Sequence, residues 1–100
     1  MDIRFDGPAL VLAGHFDARS TMEARAAIYQ HIEQCEGDEV IIDLTDVDGV
    51  DVTALKVLAV ATRSAGREGQ HLRLRGCGPA VRRLLHVSHL FRLVEVERAA

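Results

Sequence analysis

Asp43 to Leu58 reads Asp-Leu-Thr-Asp-Val-Asp-Gly-Val-Asp-Val-Thr-Ala-Leu-Lys-Val-Leu, an acidic loop that ends one apolar run and leads straight into another of different period. The run before it, Glu39-Val-Ile-Ile-Asp43, is β-branched at its centre and predicts a core strand. The run after it places Leu55, Leu58, Ala59 and Thr62 on one helical stripe, widened by Val57, Val60 and Ala61, and ends near Gly66 to Gly69. So broad an apolar face predicts a helix lying flat on a sheet. Asp51 stands where the helix cap belongs, and Thr53 puts a hydroxyl in the first turn. A helix start has unpaired N–H groups and partial positive charge, so this junction is the first place to look for function.

Upstream, Ala9 to Ala13 is a continuous apolar run between Gly7-Pro8 and Gly14, as expected of a strand buried on both faces. Ile3 to Phe5 is a candidate edge strand beside it, with a turn at Asp6-Gly7. Ser20-Thr-Met-Glu23 has the capping-box pattern and predicts a helix to about Cys35, with Ala24, Ala27, Ile28 and Ile32 at helical spacing. Downstream, His71 to Arg75 alternates, Leu72 and Leu74 inward and Arg73 and Arg75 outward, which reads as a strand with one exposed face. Gly78-Pro79 opens a short third helix carrying Val81, Leu84 and Leu85, and Leu93 to Val96 is a candidate last strand. Strands alternating with helices imply parallel crossovers, hence an α/β fold on a mainly parallel sheet of four or five strands.

With 100 residues and 48% hydrophobic content, the chain is expected to form one domain over residues 1–100. A chain of this size buries roughly two thirds of its unfolded surface without staples. Cys35 and Cys77 lie far apart with no metal-binding or redox spacing, which suits reduced thiols in a cytoplasmic protein. No apolar run approaches the roughly 20 residues that span a bilayer, so no direct membrane insertion is expected. The net charge of −3 is unevenly divided, with −9 on residues 1–51 and +6 on residues 52–100. Either the charges lie on separate solvated faces, or an acidic patch around Asp46, Asp48 and Asp51 steers a basic partner surface. Net acidity with four aromatic residues argues against nucleic acid as a ligand.

Catalytic and cofactor motifs fail on inspection, and neither a cofactor nor a metal is expected. The chain has no G-x-G-x-x-G and no G-x-x-x-x-G-K-[ST], and Ser20, Ser64 and Ser88 sit in no nucleophile elbow. Asp46-Val-Asp48-Gly49 mimics part of a calcium loop, but aligning Gly49 with the invariant glycine puts Leu44 and Leu55 where carboxylate ligands belong. His86 and His89 lack a third ligand and read as a helix-end pair near the terminal carbonyls.

Leu12-Ala-Gly14-His-Phe-Asp17, Val40-Ile-Ile-Asp43-Leu44, Asp51-Val-Thr-Ala-Leu55, Gly69-Gln-His-Leu72-Arg-Leu74 and Pro79-Ala-Val81-Arg-Arg-Leu84 together resemble the STAS domain family, named for sulfate transporters and anti-sigma factor antagonists. The resemblance spans nearly the whole chain. It implies a mostly parallel sheet with helices mainly on one side. For the anti-sigma factor antagonist type it implies a non-enzymatic partner switch, in which loop and helix 46–66 bind an anti-sigma factor serine kinase or a related regulator. In that family a serine directly after the loop aspartate is phosphorylated, and the added charge of about −1.5 to −2 breaks the complex.

Here Val52 occupies the serine position and Ala54 the following glycine position, leaving Thr53 as the phosphorylation candidate. One residue along a helix is a rotation of about 100°, which turns Thr53 away from where the family places its serine. The resemblance makes Asp17, Asp48, Asp51, Val52, Thr53 and Lys56 the expected partner-binding residues. It also implies an alternative, a STAS accessory subunit that regulates an ATP-binding cassette transporter; some members of that kind keep the threonine and lose the serine. Neither reading fixes an oligomeric state.

Overall fold

A computed structural model describing residues 1–97 contains five strands and three helices in one compact α/β domain. They are β1 (Asp2–Asp6), β2 (Ala9–Phe16), α1 (Thr21–Gln34), β3 (Glu39–Val50), α2 (Val52–Arg67), β4 (His71–Arg75), α3 (Pro79–Val87) and β5 (Glu95–Val96), with a 3-10 turn at Leu90–Arg92. The sheet order is β1-β2-β3-β4-β5, antiparallel between β1 and β2 and parallel at every other pairing. Each parallel step moves one place in the same direction, and crossovers are right-handed in nearly all proteins, so α1, α2 and α3 must share one face.

Alternation along the strands supplies the apolar side of that interface. Leu10 and Leu12 of β2, Val40, Ile42 and Leu44 of β3, and Leu72 and Leu74 of β4 are all buried. They form one core with Ala24, Ile28 and Ile32 of α1, Leu55, Leu58, Ala61 and Ala65 of α2, and Val81 and Leu85 of α3. Four of the six buried residues of α2 are alanines, side chains small enough to let a helix approach a sheet closely.

The opposite sheet face has no helical layer, and this revises the expectation that β2 is buried on both sides. Val11 and Ala13 are half-buried. Register sets Val11 between Arg4 and Asp43, so long polar neighbours shade it. Farther along, Arg73 reaches Glu39 at 3.2 Å and Glu95 at 3.7 Å, and Arg75 donates to Glu97 at 3.1 Å. Such exposed pairs contribute about 0–1 kcal/mol each.

The acidic stretch of residues 43–50 is not a loop. β3 continues to Val50 because β2 keeps pairing with it as far as Phe16, across register shifts between Val11 and Ala13 and between Gly14 and His15. The irregular pairing destroys the two-residue alternation that marks a strand. Ser20 likewise does not complete a capping box. Its backbone sits at φ −107°, ψ −1°, and its hydroxyl makes no hydrogen bond to the helix. It donates instead to the His15 carbonyl at 2.9 Å and accepts from the Asp17 N–H at 3.1 Å. At the end of α3, the His86 ring stacks on Phe91 at 4.7 Å, while the backbone N–H of His89 donates to the His86 carbonyl.

Gly76 follows β4 with φ at +72° and presses against β3. A methyl group there would meet the Thr45 hydroxyl and lie 2.9 Å from the Thr45 backbone. Gly76→Ala is therefore expected to lower stability by more than about 2 kcal/mol, from strained backbone plus overpacking. Urea denaturation measures it. Adding Thr45→Ala should recover only part of the loss, since the backbone contact and the positive φ remain.

Candidate functional site

β3 and α2 meet at Asp51, whose extended backbone (φ −120°, ψ 177°) turns the chain from strand to helix. One carboxylate oxygen accepts from the Ala54 N–H at 2.9 Å and caps α2. The other accepts from the Ala18 N–H at 3.0 Å, thirty-three residues away. A single side chain thus fixes the start of α2 against the loop that opens α1.

That loop is itself held by local bonds. Asp17 accepts from the Arg19 N–H at 2.9 Å, and the Arg19 guanidinium lies 3.5 Å from its other oxygen. The Arg19 N–H bond, opposed by a smaller desolvation effect and joined by the Arg19 charge, holds the Asp17 carboxyl below its ordinary range. Asp17 does not touch Asp51 through its side chain; the two are joined through the backbone of Ala18.

Around this junction the surface is partly apolar. Val52, in the first turn of α2, is 38% exposed, Val60 is 54% exposed, and Met22 in the first turn of α1 is 85% exposed. Val60 was expected to widen the buried stripe, but helical geometry sets it on the outward arc with Thr53 and Lys56. Thr53, Lys56, Val57 and Val60 line a shallow groove of about 280 Å³ together with Arg25 and Tyr29 of α1. The Arg25 guanidinium lies 5.6 Å from the centre of the Tyr29 ring. Asp51, Val52, Thr53 and Lys56 are thus gathered at one helix start, with Asp17 beside them. Asp48 lies apart, lining a second depression with Gly76, Pro79 and Ala80.

Arg25, Tyr29, Met22 and Ala18 were not singled out from the sequence. Met22 could have been found, since an apolar residue off the Ala24, Ala27, Ile28 stripe must face outward. Arg25 and Tyr29 carry no local signal, because the groove exists only where α1 and α2 pack together. Among the described residues, no group of three His, Cys, Asp or Glu side chains is placed to hold a metal ion, and no helix is long and apolar enough to cross a membrane.

Two predictions follow from the geometry of the carboxylates. Asp51→Ala removes both hydrogen bonds and should cost about 1–3 kcal/mol in chemical denaturation. Asp51→Asn should fall between, because its one oxygen can cap α2 while its amide faces the Ala18 N–H donor to donor. Asp17 gives the folded state a pH dependence. A depressed folded-state pKa means stabilisation present above the unfolded value and lost as pH falls through the folded one. The stability gap between wild type and Asp17→Asn is therefore expected to be constant near neutrality and to shrink below about pH 4, read from denaturation midpoints against pH.

The architecture has close counterparts. An anti-sigma factor antagonist from Mycobacterium paratuberculosis superposes with a TM-score of 0.76 at 22% identity, covering 97% of this chain and 83% of its own. The Bacillus cell fate determinant SpoIIAA in its phosphorylated form gives 0.66 at 17% identity over 97% and 90%. A sulfate transporter family protein from Wolinella succinogenes gives 0.71 at 16% identity over 88% and 73%. At these identities the likeness is one of fold. No curated protein matches the chain significantly by sequence. A family model described as Mlab, STAS domain, matches residues 1–95. With that match over nearly its whole length, and with a one-sided helical layer on a sequentially ordered sheet, the chain belongs to the STAS domain family.

Proposed function

We propose that this STAS domain is a non-enzymatic partner-switching regulator of the anti-sigma factor antagonist kind, acting in the cytoplasm on an anti-sigma factor serine kinase or a related regulator. The observation that carries the reading is the solvent-facing start of α2. Val52 is exposed there beside Thr53 and Lys56, with Val60 exposed two turns farther along, while Asp51 holds the helix end in fixed relation to the β2–α1 loop. A well-ordered, partly apolar helix start can dock with little loss of conformational freedom.

Asp17, Asp48, Asp51, Val52, Thr53 and Lys56 are the proposed contact residues. Val52 has no hydroxyl, so the position that the family phosphorylates cannot switch. Thr53 lines the groove facing Arg25 of α1, and Val52 does not. This supports a complex that ordinary phosphorylation does not release.

The test is to mix the protein with the serine kinase encoded beside its gene, with and without ATP. A stable complex without phosphate transfer is expected, and Val52→Ser should gain phosphate by mass spectrometry and lose affinity at least tenfold. Efficient phosphorylation of the wild type that Thr53→Ala abolishes would overturn the unswitched version. Failure to bind any such kinase would overturn the reading as a whole.

The pairing of Val52 with a retained Thr53 favours one second reading, an accessory subunit that regulates an ATP-binding cassette transporter. Co-purification with the ATPase, in place of the kinase, distinguishes it.

A further inference from the structure

α3 carries a surface that the start of α2 does not account for. Its inward residues are Val81 and Leu85. Its outward flank presents Pro79, Ala80, Arg83, Leu84 and Val87 around a shallow, mostly apolar depression of about 510 Å³. Val87 is 69% exposed. Pro79, Arg83 and Val87 recur every four residues, and Ala80 and Leu84 form a parallel row, which leaves a groove of the kind a second helix fills.

The charge lining this depression is that of Arg83 alone, with Asp48 in the adjoining hollow. No Asp or Glu occurs between Glu68 and Glu95, whereas Arg73, Arg75, Arg82, Arg83 and Arg92 do. Arg73 and Arg75 are paired with Glu39, Glu95 and Glu97 on the open sheet face. Arg82 donates its Nε–H to the Cys77 carbonyl. Arg83 and Arg92 have no ion-pair partner among the described residues. The depression also adjoins the proposed partner site, because Pro79 and Ala80 line both it and the hollow that contains Asp48.

We infer that the outward flank of α3 is a second docking surface, which takes an acidic amphipathic helix of the protein partner. Apolar side chains of that helix fill the groove over Leu84 and Val87, and its carboxylates meet Arg83. The nine residues of α3 span about 13 Å, room for two to three turns of the occupant. An anionic membrane surface is the weaker match. The groove is concave, and few arginines stand here to meet a lipid headgroup layer.

The inference rests on the partner-binding reading above, and the experiment separates the two. Affinity for the neighbour-encoded kinase is measured by titration calorimetry at low and at physiological salt for wild type, Val52→Asp, and Arg83→Glu with Val87→Asp. Arg83 and Val87 are exposed, so the double variant should keep its circular dichroism spectrum and melting temperature. Expected is a loss of at least tenfold for the double variant, with a flatter salt dependence than wild type. Wild-type affinity in the double variant, alongside a loss in Val52→Asp, overturns the inference and leaves the proposed function standing. No wild-type binding overturns both. Cosedimentation with phosphatidylglycerol vesicles that the double variant loses, while its kinase affinity is unchanged, overturns the protein occupant in favour of a membrane.

Discussion

Two N–H groups from distant parts of the chain converge on the carboxylate of Asp51, and the geometry of the candidate site depends on that convergence. Its bond to Ala54 caps α2, and its bond to Ala18 anchors the loop before α1. A hydroxyl at this position could cap the helix but could not also reach across, because both carboxylate oxygens are engaged. Bonds to a charged acceptor contribute about 1.5–3 kcal/mol, more than neutral ones, and so suit a junction that is only half-buried. Relative placement of α1 and α2 at this end, and hence the groove between Arg25, Tyr29, Thr53 and Lys56, follows from that anchor.

The uneven charge of the sequence becomes intelligible on this scaffold. On the open sheet face Arg73 pairs with Glu39 of the first half and with Glu95 of its own half, which stands beside it in register on β5, and Arg75 pairs with Glu97. Of these pairs only Glu39–Arg73 joins the two halves, so the pairing offsets little of the −9 and +6. Among the remaining charges, Asp46 and Asp48 lie along the far end of β3 and Arg82 and Arg83 on α3.

Periodicity made the element order legible, because buried strands and one-sided helices write their contacts directly into the sequence. β4 and α2 are the clearest cases. The end of β3 was illegible for a physical reason: a bulged strand loses alternation, and Asp46, Asp48 and Gly49 then resemble a turn. Ser20 misled because a capping box is defined by residue types, whereas the hydroxyl goes where the backbone dihedrals aim it. At the site, Asp51 was legible as a cap from its position alone. Its second bond was not, since Ala18 enters only through tertiary packing, and the same holds for Arg25 and Tyr29 in the groove and for Thr45 against Gly76.

Val52 and Thr53 differ in more than chemistry. They are neighbours in sequence but about 100° apart on the helix, so a partner that covers Val52 approaches from a different side than one that enters the Thr53 groove. A phosphoryl group on Thr53 would lie near Arg25 and Lys56, two cations that line the same groove, and near the unpaired N–H groups of the first turn. Those surroundings attract added negative charge. The same modification at position 52 would lie outside that groove and away from its two cations.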